Sequence, residues 1–183
     1  SVHPFLRQSN WKHQNLIVAG NFNMTNSKQL LEELVNLGQH PKEFTDTVTV
    51  MEKIGHFLED EVAKLYQKAK KEGFNKKDAS PYIEENLNLK KVLKRSSKNW
   101  DGGYAMAGLV GHGDAFVLRD PNGIRPTYYF EDEEVVVVAS ERPVIQTVFN
   151  VAIDKVKELK RGHALIIKKN GIIILNLYTI LLC

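Results

Sequence analysis

The stretch YAMAGLVGHGDAFVLRDPNGIRPTYYFEDEEVVVVA, residues 104–139, decides the fold. It holds four short runs rich in β-branched and aromatic residues: Tyr104–Val110, Ala115–Leu118, Thr127–Phe130 and Val135–Ala139. Glycine- or proline-bearing turns separate most of them, the pattern of an antiparallel meander. Downstream, Pro143–Phe149 reads as one helix with proline in its first turn. His163–Lys168 and Ile172–Leu177 flank Asn170-Gly171, a two-residue hairpin signal. The run from Ile172 to Cys183 is apolar, unusual near a chain end. Ile172–Leu177 is therefore expected to be an ordered strand, buried on at least one face through its isoleucines.

Upstream of residue 104 the pattern is helical. Leu16–Ala19 is a buried strand expected to end in a turn at Gly20, with Asn21, Asn23, Thr25 and Asn26 supplying turn and cap chemistry. A helix follows from Ser27, its stripe formed by Leu30, Leu31, Leu34, Val35 and Leu37, and Gly38 and Pro41 end it. Thr45 or Asp46 caps the next helix. Met51, Ile54, Leu58, Val62, Leu65 and Ala69 recur along it every three or four residues, and lysines crowd its last turn before Gly73. Residues 74–99, rich in lysine and asparagine, read as a helical insertion of short surface helices, which Pro81 interrupts. A strand, then helices, then a sheet-rich half is an α+β order.

The 183 residues suit one domain, with 43% apolar and 26% charged residues. Lys plus Arg is 25 and Asp plus Glu is 22, a net charge of +3, too mild to call for nucleic acid or a membrane surface. Cys183 is the one cysteine, which excludes an internal disulfide and a cysteine-based zinc site. Ser1–Trp11 lacks the basic-then-apolar pattern of a signal peptide, and the run Ile172–Cys183 is too short to span a bilayer. A cytoplasmic location is expected. The six histidines show no metal-ligand spacing, and Gly108, Gly111 and Gly113 spell no dinucleotide or phosphate-loop fingerprint, so neither metal nor cofactor is expected. Lys90, Lys91, Lys94, Arg95 and Lys98 read as a solvated helix face.

Three segments carry candidate chemistry. A strand ending in a glycine turn at Val18–Asn23 leaves main-chain N–H groups for an oxyanion, with asparagine amides nearby. Asp46, in Thr45-Asp46-Thr47, caps a helix or offers a carboxylate to an ammonium group. In Arg119–Pro126, Pro-Asn-Gly builds a tight turn across which Arg119 and Asp120 are expected to pair.

Gly102-Gly103-Tyr104-Ala105-Met106, the Arg119–Pro126 motif and Val138-Ala139-Ser140-Glu141-Arg142, in that order, resemble the class II glutamine amidotransferase domain, and within it the amidophosphoribosyltransferase type. His3-Pro4-Phe5, Gly20-Asn21 and Thr45-Asp46-Thr47 also fall where that family has its motifs. The resemblance implies a four-layer αββα N-terminal-nucleophile hydrolase sandwich of two mainly antiparallel sheets. It also implies glutamine hydrolysis, with ammonia passed to a phosphoribosyltransferase domain for purine biosynthesis. Carried over residue by residue, the glutamine site falls on Gly20, Asn21 and Asp46, with Gly20 at the oxyanion glycine and Asp46 holding the α-ammonium. Ala19 stands where the family has an asparagine. The family's N-terminal cysteine nucleophile and arginine clamp have no match here. Cys183 is no substitute, and Ser1 leads into a proline and a polar stretch rather than a strand. The expectation is one partial domain over residues 1–183, truncated at the N-terminus, inactive alone and homo-oligomeric. The alternative is a catalytically dead scaffold or regulatory domain.

Overall fold

A computed structural model describes residues 3–41, 43–168 and 171–177. The strands are β1 (Phe5–Arg7), β2 (Leu16–Met24), β3 (Gly102–Val110), β4 (Ala115–Arg119), β5 (Tyr128–Glu131), β6 (Val136–Ala139), β7 (Lys157–Glu158), β8 (His163–Lys168) and β9 (Gly171–Asn176). The helices are α1 (Ser27–Asn36), α2 (Asp46–Lys71), α3 (Ala79–Asn86), α4 (Leu89–Ser96) and α5 (Arg142–Phe149). One sheet has the order β1-β2-β3-β4-β8-β9 and the other β6-β5-β7. Every pairing is antiparallel.

The period-2 pleat sorts the side chains into layers. Along β4, Phe116 and Leu118 enter the main core with Leu16 and Val18 of β2 and with Met51, Ile54, Leu58 and Val62 of α2. Val117, between them, faces the other way and packs with Leu165 of β8 against Tyr129 of β5 and Leu159. Ile145 of α5 packs with Phe130 and Val156 beyond the second sheet. The layers are thus helices, large sheet, small sheet, helix: the expected αββα sandwich.

The long helix matches its stripe, with Met51, Ile54, Leu58, Val62 and Ala69 buried. Thr45 is its cap, accepting from the Val48 N–H at 3.3 Å, and Asp46 is freed for another partner. Four expectations change. The first strand does not end at Gly20. It runs to Met24 and pairs with β3 from Leu16↔Val110 to Met24↔Gly102. The ladder overrides the turn preference of Gly20 and Asn21, and Gly20 fits because a side chain there would strike the Ala105 carbonyl and lie 2.8 Å from Met106 Cα. In α1 only Leu30 and Leu34 are buried, while Val35 and Leu37 are exposed. Residues 79–96 form two helices that enter the core through Ile83, Leu87, Leu89, Val92 and Leu93. Pro81 sits inside the first turn of α3, where proline is tolerated, and the break falls at extended Leu87. Their basic face stays in solvent as expected, with Lys90, Lys91, Lys94 and Lys98 exposed, Lys91 reaching Glu61 at 2.7 Å and Arg95 reaching Asp60. Finally, β9 pairs with β8 as expected but is an edge strand. Ile172 and Leu175 are half-buried on opposite faces, whereas Ile173 and Ile174 are exposed. Asn170 of the hairpin turn, Ser1 and Cys183 lie outside the described residues.

Candidate functional site

The Arg119–Pro126 loop is built around a carboxylate with no solvent exposure. Asp120 Oδ1 accepts the N–H groups of Asn122 (3.0 Å) and Ile124 (2.9 Å), and Oδ2 accepts that of Arg125 (3.0 Å). Its own N–H donates to the Tyr104 carbonyl at 2.9 Å, which fastens the loop to β3. Gly123, at φ +70°, supplies the left-handed residue the turn needs. The expected Arg119–Asp120 pair is not formed. Arg119 donates instead to the carbonyls of Arg125 (2.8 Å) and Leu159 (2.6 Å) and to Glu158 Oε1 (2.6 Å). Arg119 closes β4 while Asp120 opens the loop and turns its carboxylate into it, so each is engaged by a different set of groups.

Held this way, the loop lies on β3. Ile124 Cγ2 is 2.8 Å from where a side-chain carbon on Gly103 would sit, so only glycine lets the two approach. Beside it a cleft of about 580 Å³ opens between the sheets. Small apolar residues line it from both sides: Ala19, Ala105, Ala107 and Val117 from the large sheet, Val138 and Ala139 from β6. Its polar lining is Asn21, Arg125, Thr127, Ser140 and Glu141. In the packed layer between the sheets, burial raises the Tyr129 phenol above its ordinary value and Glu131 adds to this against the opposing charge of Lys157, so it stays protonated at neutral pH.

Gly20 and Asn21 both line this cleft. Asp46 is not among its lining residues. Its Oδ2 accepts the Met24 N–H at 2.8 Å, at the end of β2, which ties the start of α2 to that strand. Met24 is three residues from Asn21, about 10 Å along a strand. The main-chain oxyanion turn expected at Gly20 is absent, because Gly20 and Asn21 sit opposite Met106 and Ala105 in the ladder. The amide facing the cleft is the Asn21 side chain, two residues from Ala19 and on the same face of the strand. Sequence reasoning quoted Arg125 only as part of a turn motif and did not single out Thr127. Among the described residues no group of three or more His, Cys, Asp or Glu side chains could hold a metal ion, and no helix is long and apolar enough to cross a membrane.

The profile of the class II glutamine amidotransferases matches residues 38–180, and the chain belongs to that family. The matched stretch includes Asp46 and the Arg119–Pro126 loop but begins after Gly20 and Asn21. The amidophosphoribosyltransferase of Saccharomyces cerevisiae is 42% identical over 74 residues, covering 38% of this chain and 14% of that protein. A glutamine phosphoribosylpyrophosphate amidotransferase from B. subtilis, solved with ADP and GMP, superposes with a TM-score of 0.65 at 26% identity, over 97% of this chain and 32% of that one. A structure described as the allosteric regulatory enzyme of purine biosynthesis gives a TM-score of 0.66 at 24% identity over 97% and 31%, a likeness of fold. The chain thus spans about a third or less of the length of these relatives.

Proposed function

We propose that this chain is the glutamine-binding domain of an amidophosphoribosyltransferase-type enzyme, in which ammonia released from glutamine serves phosphoribosylamine formation in purine biosynthesis. The observation that carries the reading is the cleft: a carboxamide, Asn21, faces a space enclosed by two sheets, within a class II amidotransferase fold. A side-chain amide there is a donor for the oxyanion that forms when the glutamine carboxamide is attacked. Asp46 Oδ2 is engaged by Met24, and Oδ1 remains for the α-ammonium of glutamine. The spacing between Asn21 and Met24 suits an extended glutamine with a hydrogen bond at each end. None of the lining residues is a thiol. The isolated chain therefore binds glutamine without hydrolysing it. The test is a titration of the ¹⁵N-labelled chain with L-glutamine beside an ammonia-release assay. Shifts confined to Ala19, Asn21, Ala105 and Ala107, weakened by Asn21→Ala and Asp46→Asn, with ammonia at background, are expected. No shift at saturating glutamine refutes the reading, and turnover above background refutes the inactive-chain part of it.

A further inference from the structure

Two buried histidines meet where the turn before β2, the β3–β4 turn, α3 and β8 come together. His13 lies in Lys12–Gln14, one turn of 3-10 helix, and is 1% exposed; the His112 side chain, in the β3–β4 turn, is 3% exposed. Their ring centres are 5.7 Å apart. His13 Nε2 bonds Ser80 Oγ of α3 at 2.9 Å, and His112 Nε2 lies 3.2 Å from Asp114 Oδ2. Neither ring's Nδ1 has a hydrogen-bond partner among the described residues. The two turns that carry the rings are fixed to each other. Gly111 donates its N–H to the Asn15 carbonyl at 2.9 Å, and a side chain at Gly111 would strike the Lys12 carbonyl. The element on the other side, α3, is held less firmly. Its 8 residues are fewer than the roughly 12–15 an isolated helix needs, and Asp78 at its N-cap gives it no side-chain hydrogen bond. Ala79, Ile83 and Leu87 seat its apolar face. Its polar attachments are Ser80 to His13, Glu84 to Lys12, and the Leu87 carbonyl, which accepts from Lys168 Nζ at 3.1 Å.

We propose that the His13–His112 pair is a pH-sensitive latch on α3: with His13 neutral the helix stays docked through Ser80, and a proton on His13 shifts it toward an undocked state while the large sheet and α2 keep their packing. The charged groups around the rings balance in pairs. Lys12 faces Glu84, and Asp114 faces Lys168 at 3.3 Å, while α2 presents Tyr66 against the Trp11 ring at 5.5 Å. A proton on His13 breaks that balance. With its one proton on Nε2, the neutral ring donates to Ser80 and keeps only a lone pair on Nδ1. A charged ring adds an N–H on Nδ1, where no acceptor waits among the described residues, and a buried donor left unpaired carries its desolvation penalty in full. Burial, and then His112 and Lys12 against the opposing Glu84, hold the ring below the usual 6.5. The undocked ring takes its proton near the ordinary value and the docked ring only at lower pH. Docking is therefore unchanged above about 6.5 and weakens as pH falls, by up to about tenfold per pH unit until the docked value is passed. Between pH 7.5 and 5 one proton amounts to up to about 30-fold. The latch is independent of what the cleft binds.

The experiment is native-state hydrogen exchange at pH 7.5 and 5, corrected for the intrinsic pH dependence of exchange, on the wild-type chain and on His13→Gln. In the wild type, protection of residues 79–87 falls by up to about 30-fold at pH 5, while β3 and the buried positions of α2 lose less. The midpoint of that loss coincides with the titration of the His13 ring, followed by its Cε1–H resonance. His13→Gln keeps a donor toward Ser80 but does not titrate, so the selective loss in α3 disappears. Equal protection of residues 79–87 at the two pH values overturns the latch. So does a loss shared equally by β3 and α2, which would be whole-chain unfolding, and so does a selective loss that persists in His13→Gln. The wild-type comparison of α3 with β3 decides the matter even where the variant fails to fold.

Discussion

Removing the Asp120 carboxylate tests whether the loop beside the cleft is held from within. Asp120→Ala deletes three bonds of 2.9–3.0 Å to the N–H groups of Asn122, Ile124 and Arg125. Each bond to a charged group is worth about 1.5–3 kcal/mol. Against their sum stands the several kcal/mol it costs to bury the ion. Asn122 and Ile124 are exposed enough for water to reach their amides once the carboxylate is gone. A net loss of roughly 2–4 kcal/mol remains, or about 4–16 °C in melting temperature at about 2–4 °C per kcal/mol for a chain of this size. Asp120→Asn keeps Oδ1 for two of the three donors but turns an NH₂ toward the Arg125 N–H, so it falls between wild type and alanine. Thermal melts of the three proteins give the order, and hydrogen exchange at residues 122, 124 and 125 gives the cause. Asp120→Ala melting within about 2 °C of wild type, or amide protection unchanged at those positions, would refute the account of the loop.

Two further outcomes follow from packing and charge. Gly20→Ala should destabilise by about 1–3 kcal/mol or more, because the new methyl meets main-chain atoms of Ala105 and Met106 that cannot turn aside; a melting temperature at or above wild type would show that β2 and β3 are not that close. His13 is buried against Ser80 Oγ at 2.9 Å, with its ring 5.7 Å from that of His112. Burial first, then the charge of His112 and of Lys12 against the opposing Glu84, lower its pKa below the ordinary 6.5. As pH falls below about 6.5 the unfolded chain takes the proton first, so stability declines until the lower folded-state pKa is passed, and nothing changes above 6.5. Asp114, also lowered, acts only at more acidic pH: burial opposes the shift, but His112 and Lys168 outweigh it. Chemical denaturation at pH 7.5 and 5 should show the loss in wild type and a smaller one in His13→Gln, and equal stability of the wild type at both values would sink the argument.

Much of the fold was legible because the residues that decide it decide it locally. The 3.6-residue stripe of α2 and the alternation in β4 and β8 each name a buried face without knowledge of the partner. The failures share one cause: the partner was remote in sequence. Gly20 and Asn21 are turn residues by propensity, and only the β3 ladder, more than 80 positions away, makes them strand. The helices of residues 79–96 look like a solvated insertion because lysine and asparagine punctuate them and each is short, yet Ile83, Leu87, Leu89, Val92 and Leu93 join the core beside α2. Ile173 and Ile174 were expected to be buried, but β9 is an edge strand, and only Ile172 on one face and Leu175 on the other reach a hydrophobic cluster partway.

The site was legible to the level of segments and no further. Arg119 and Arg125 stand six residues apart in one motif and are chemically the same residue. Composition, spacing and resemblance treat them alike. The structure separates them by a single physical fact: Arg119 points to where Glu158 and the Leu159 carbonyl await it, and Arg125 points to where nothing in the described chain does. The same holds for the two aspartates. Asp120 spends its carboxylate on three N–H groups of its own loop, while Asp46 has one oxygen committed to Met24 and one left over. A side chain whose bonding capacity exceeds what the fold consumes is a side chain available to a ligand. That surplus depends on every neighbour in three dimensions, so it cannot be read along the chain. It is why Arg125, which lines the cleft with its Nε unbonded among the described residues, differs from the more elaborately bonded Arg119, whose guanidinium the fold consumes.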